Sequence, residues 1–114
     1  MKKSILLLAI FSLLFLSVNA QAEDKWVETK IKTTAQCEMC KERIEKKVNN
    51  IKGVKSSDLN LDDKYVTVKF NSEIVNADEI RHAIAKLGYD ADEVKKDKNA
   101  YSKLPACCKI PSKK

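Results

Sequence analysis

Two cysteines three positions apart, Cys37 and Cys40, stand in the stretch Thr34-Ala35-Gln36-Cys37-Glu38-Met39-Cys40-Lys41, where an alternating segment gives way to a helical one. A backbone that bends into a helix there can turn both sulfurs toward one point. The free N–H groups and the dipole at a helix N-terminus favour negative charge, and thiolate is the form of cysteine that binds metal. Lys41 and Arg43 add positive charge nearby. Two thiolates and little else suit a soft ion of low coordination number, Cu(I) first and Hg(II) next. Zn(II) wants four ligands and needs more than this pair. No carboxylate cluster has a spacing suited to calcium or magnesium. The same two thiols can instead close a disulfide or run thiol–disulfide exchange. That redox alternative expects Trp before and Pro within the motif, where this chain has Gln36, Glu38 and Met39. No nucleophile, base and orienting group occur together, so the chain is not expected to be an enzyme.

A second pair, Cys107 and Cys108, follows Leu104-Pro105-Ala106 near the C-terminus. Adjacent cysteines rarely bond each other, because the ring is strained. The roughly 12 residues before them could reach about 35 Å when extended, enough to fold back on the first pair. Two readings stay open: Cys107 and Cys108 add ligands to the first site, or they ride on a mobile tail. His82, the single histidine, is expected on a solvated helix face, since a lone imidazole lacks ligand partners. Trp26 is expected to pack at a sheet edge.

These residues need elements to hold them. Val27, Thr29, Ile31 and Thr33 alternate with charged residues and read as a half-buried strand. Ile44, Val48 and Ile51 mark a helix that starts near residues 37–39 and stops at Gly53. Residues 54–61 are a weaker strand; Val54 disagrees in parity with Leu59 and Leu61, which implies a bulge or a late start. Asp62-Asp63-Lys64 makes a turn into a strand with Val66, Val68 and Phe70 inward. Asn76 caps a second helix whose stripe is Ile80, Ala83, Ile84 and Leu87, closed by Gly88. Residues 89–94 read as a last, edge strand. The order βαββαβ predicts an α+β, ferredoxin-like sandwich: a four-stranded antiparallel sheet with two helices on one face.

Residues 1–22 read as a secretory signal peptide, with Lys2 and Lys3, an apolar run from Ile5 to Leu16, and small residues at 18–22. The run is too short to span a bilayer, so no stable membrane insertion is expected once it is removed. Residues 23–95 then form the domain and 96–114 a flexible, cysteine-containing tail. The net charge of +6 comes from 22 basic and 16 acidic residues intermingled. That mixture argues for solubility, and with aromatics sparse it gives no base-stacking surface for nucleic acid. Lys41, Arg43, Lys46 and Lys47 leave the first helix basic, either as a solvated face or as a docking surface for an acidic partner.

From Trp26 to about Val94 the chain resembles the heavy-metal-associated domain family, which includes copper chaperones, modules of copper-transporting ATPases and the periplasmic mercuric-ion-binding protein. The resemblance rests on Cys37-x-x-Cys40 after the first strand, Ile51-Lys52-Gly53-Val54 after the helix and Leu87-Gly88-Tyr89 before the last strand. It implies that Cys37 and Cys40 are the metal ligands and that Tyr89 packs beside their loop. It also implies ligand exchange with a partner, either a metal-transporting membrane protein or another cysteine-containing domain. Thr34 and Ala35 replace the Gly-Met usual in the family, and Met39 is the residue left to anchor the loop from beneath. The resulting expectation is an exported, periplasmic or extracytoplasmic Cu(I) carrier. Hg(II) transport and thiol–disulfide oxidoreduction are the alternatives. The chain is expected to be monomeric, with a metal-bridged dimer open.

Overall fold

The computed structural model describes residues 25–109. The signal-peptide reading of residues 1–22 lies outside them. The elements are β1 (Trp26–Lys32), α1 (Glu38–Asn49), β2 (Val54–Leu59), β3 (Tyr65–Asn71), α2 (Ala77–Lys86), a short α3 (Lys98–Ser102) and a 3-10 turn at Ala106–Cys108. β3 lies in the centre of an antiparallel sheet ordered β1-β3-β2. Ile31 sits opposite Val66 and Thr29 opposite Val68, so the alternation expected in β1 and β3 delivers Ile31, Val66, Val68 and Phe70 to the core. The parity conflict in β2 is resolved by a register shift between Val54 and Ser56.

Both long helices cover one face of this sheet, through stripes that the sequence places there. α1 buries Cys40, Ile44 and Val48, and a fully buried side chain of the size of Ile44 or Val48 stabilises by about 2 kcal/mol. Two polar ties fix α1 against β2: the Leu59 N–H donates to Glu45 Oε2 at 2.7 Å, and Ser57 Oγ donates to Asn49 Oδ1 at 2.7 Å. α2 starts where expected, with the Glu79 N–H donating to Asn76 Oδ1 at 2.8 Å. It buries Ile80, Ile84 and Ala85 rather than Ala83.

The sheet has three strands, not the four expected. Residues 89–94 make only isolated bridges, Thr33 to Ala91 and Ala91 to Val94. Asp92 explains the break. It takes a left-handed conformation, φ 52°, which ends extended pairing after one residue. Its side chain then occupies the edge of β1: Oδ1 accepts from the Lys32 N–H at 2.9 Å, while Oδ2 accepts from Arg81 Nε at 2.8 Å. An acid on the strand edge thus replaces a strand.

Residues 96–109, expected to belong to a flexible tail, hold α3 and the turn at Ala106–Cys108. Asp97 caps α3 through the Ala100 N–H, and its own N–H donates to the Ala85 carbonyl at the end of α2. Leu104 is 7% exposed and joins the main core. Gly88 makes this docking close. A Cβ on it would lie 2.8 Å from the Tyr101 nitrogen, and its φ is 108°, so the backbone of α3 rests where no side chain fits.

Candidate metal centre

The loop between β1 and α1 is locked by threonines. Buried Thr33 donates Oγ1 to the Lys64 carbonyl at 2.8 Å and accepts from the Ala35 N–H at 3.2 Å. Thr34 Oγ1 accepts from the Asp90 N–H at 3.0 Å. Ala35 is wholly buried among these contacts. The rigidity that a methionine beneath the loop was expected to give therefore comes from two hydroxyls. Met39 does not anchor it: its side chain is 46% exposed. A residue on the outer face of the first helical turn cannot also reach the core.

Cys37 is the N-cap residue of α1, with extended backbone, and Cys40 is the buried residue of the first turn. Their sulfurs stand 3.5 Å apart, as the spacing implied. The second pair joins them. Cys107 Sγ is 3.0 Å from Cys37 Sγ, Cys108 Sγ is 3.7 Å from it, and Cys107 and Cys108 are 4.0 Å apart. The ligand atoms of Cys37, Cys40 and Cys108 all lie within 4.8 Å of one another. Cys108 is 1% exposed, whereas Cys107 faces solvent and donates toward Met39 Sδ at 3.6 Å. The structure thus places the turn at residues 106–108 against the first pair.

The sulfurs differ in proton affinity. The hydrogen bond between Cys37 and Cys107, opposed by burial and aided by the Cys40 backbone, brings Cys37 down to about 7. The same contact raises Cys107. Burial pushes Cys108 up to about 12. Cys37 is thus the first of the three to carry charge, at the mouth of the cluster.

Tyr89, beside the metal loop as the resemblance implied, is completely buried. Burial, with the sulfurs of Cys108 and Cys40 facing it, raises its hydroxyl far above the ordinary range. That hydroxyl has no hydrogen-bond partner among the described residues. The Lys41 ammonium donates to the Leu59 carbonyl at 2.8 Å and pairs with Asp58 and Glu45, so its charge serves the α1–β2 contact. His82 is solvent-facing, with Nδ1 2.9 Å from the Asp78 carbonyl oxygen. Trp26, at the sheet edge, lies under the Lys55 ammonium at 5.4 Å.

The residues that dock the second pair, Gly88, Asp97 and Leu104, were not singled out as parts of a site. One signal for them exists: Leu104 is the only large aliphatic residue between Lys95 and Lys109, which is unusual for a solvated tail. Among the described residues, no helix is long and apolar enough to cross a membrane.

Comparison with known proteins supplies a context for this cluster. Residues 31–90 match the heavy-metal-associated domain. The copper chaperone CopZ of Staphylococcus epidermidis is 35% identical over 54 residues, which cover 47% of this chain and 79% of that one. CopZ of Staphylococcus aureus is 39% identical over 54 residues, with the same coverage of 47% and 79%. Among solved structures, a CopZ metallochaperone superposes with TM-score 0.55 at 32% identity, covering 57% of this chain and 98% of its own. The N-terminal domain of a potential copper-translocating P-type ATPase from Bacillus subtilis, in its Cu(I)-loaded state, gives TM-score 0.55 at 30% identity, with coverage of 57% and 82%. The matched region holds Cys37 and Cys40 and ends before α3, Cys107 and Cys108.

Proposed function

The chain belongs to the heavy-metal-associated domain family, and from that premise we propose that it is an exported carrier of Cu(I). In this reading Cys37 and Cys40 hold the ion, and ligand exchange passes it to a cysteine-containing partner. The observation that carries the proposal is the pair of sulfurs 3.5 Å apart at the helix N-terminus. Cys37 reaches solvent there and Cys40 is backed by the core. A thiolate at the surface can enter an incoming partner's coordination shell before the buried one lets go.

The similarity to CopZ chaperones and to a Cu(I)-loaded ATPase domain favours Cu(I) over Hg(II). It also favours a partner of the same fold, carried by a metal-transporting membrane protein. Transport of this kind needs no bond-making on a substrate, which makes the chain a carrier rather than an enzyme. Export, to the periplasm or another extracytoplasmic space, rests on the sequence of residues 1–22 alone.

The test is native mass spectrometry of the reduced chain with Cu(I), Hg(II) and Zn(II) in competition, beside titration against a chromophoric Cu(I) chelator. One Cu(I) per chain is expected, lost in Cys37→Ser/Cys40→Ser. A chain that leaves Cu(I) to ordinary dithiols sinks the proposal. An oxidising, exchange-active Cys37–Cys40 couple with no metal affinity would move the chain among thiol–disulfide oxidoreductases.

A further inference from the structure

The C-terminal cysteines reach the metal loop through contacts that involve no sulfur. α3 rests its backbone on Gly88, the Asp97 N–H is tied to the Ala85 carbonyl, and Leu104 is sunk in the core. After Pro105 the chain makes one tight turn, with the Cys108 N–H donating to the Pro105 carbonyl at 2.9 Å. The position of both thiols is therefore set by packing, before any ion arrives.

Their spacing speaks to coordination number. Four thiolates about 2.3 Å from a tetrahedral ion stand about 3.8 Å from one another, whereas a linear pair stands about 4.6 Å apart. The separations of 3.0, 3.5, 3.7 and 4.0 Å lie around the first value and short of the second. Cys37, Cys40 and Cys108 are the compact set, within 4.8 Å of one another. Cys107, which touches Cys37 and Cys108 but stands outside that set, must swing in to be the fourth ligand. The Tyr89 hydroxyl is an independent observation. It is fully buried, faces the sulfurs of Cys108 and Cys40, and has no partner among the described residues. A buried donor without an acceptor is costly. Thiolate charge held by an ion beside it would supply that acceptor.

We infer that the turn Ala106–Cys108 completes a closed four-thiolate centre, made of Cys37, Cys40, Cys107 and Cys108, which accepts one tetrahedral cation of the Zn(II) or Cd(II) class and encloses Cu(I) when that is the cargo. The inference rests on the proposal that Cys37 and Cys40 are ligands. Binding releases the thiol protons to solvent. Cys108, buried, is the lasting ligand of the added pair. Cys107, exposed, is the one that leaves when a partner's sulfur enters.

Co(II) reports this directly. Added to the reduced full chain without oxygen, it is expected to give the intense visible bands of a tetrahedral thiolate site. Thiolate-to-cobalt charge transfer should fall to about three quarters in Cys107→Ala, which removes only an exposed side chain, and to about half in Cys107→Ala/Cys108→Ala. Circular dichroism of the variants shows whether each stays folded. Titration against a Cu(I) chelator should show at least a tenfold loss of affinity in the double variant. Equal charge-transfer intensity in all three proteins overturns the inference, as does weak octahedral Co(II) absorption in the wild-type chain. A metal-bridged dimer as the main species overturns it as well. If wild type and double variant hold Cu(I) equally well, only the four-thiolate centre fails. If neither holds it, the carrier proposal fails too.

Discussion

The two cysteine pairs occupy one cluster but are put there by different physics. Cys37 and Cys40 meet because three residues of chain bend from extended backbone into a helix, a local event. Cys107 and Cys108 meet them across about 70 residues, through the docking of α3 on Gly88 and of Leu104 in the core. The first pair is therefore a property of a motif, and the second of a tertiary interface. Weakening the interface should detach one pair and leave the other where it is.

Leu104→Ala is the strongest such break. Loss of a nearly buried leucine costs about 2–3 kcal/mol when its surroundings do not collapse, and urea unfolding measures it. Alkylation of Cys108 should accelerate in that variant while Cys40, held within α1, keeps its protection. Equal acceleration at both cysteines would mean that the two regions form a single cooperative unit.

Gly88→Ala attacks the same interface from beneath. The left-handed φ and the 2.8 Å approach to Tyr101 both oppose a Cβ, so a loss of more than about 1 kcal/mol is expected. An unchanged urea midpoint would show that α3 can lift at little cost.

The link between the pairs can be read through Cys37. Its thiol, brought to about 7, should be alkylated with a rate that rises through pH 7 as thiolate replaces thiol. Cys107→Ala removes the largest cause of that lowering, so the midpoint should move up toward the ordinary cysteine range. A midpoint that stays in place would assign the effect to the helix terminus alone. The smallest effect is expected from Met39→Leu: on an exposed position it should change stability by less than about 0.5 kcal/mol. A larger loss would restore Met39 as an anchor of the loop.

The same division explains what could be read from the residues alone. Ile44 and Val48 on α1, the alternation of Val66, Val68 and Phe70, the bulge near Ser56 and the cap at Asn76 are local patterns, and each places its element. The fourth strand misleads because residues 89–94 have strand-like side chains but also Asp92, whose carboxylate competes for the edge of β1. No periodicity encodes that competition. Met39 misleads for a related reason. A family's anchoring methionine suggests a role, but only the helix phase decides which way a side chain at position 39 points. The turn at Ala106–Cys108 is hidden by the polar composition before it, where Leu104 alone carries the packing information.

The absent fourth strand has a consequence for life at high protein concentration. An unprotected strand margin invites a second chain to zip onto it. Here Asp92 plugs the end of that margin by taking the Lys32 N–H, and exposed Glu28, Lys30 and Lys32 crowd the rest with charge. Such a border should resist edge-to-edge association, keeping copies of the domain apart where a crowded space would otherwise press them into fibres.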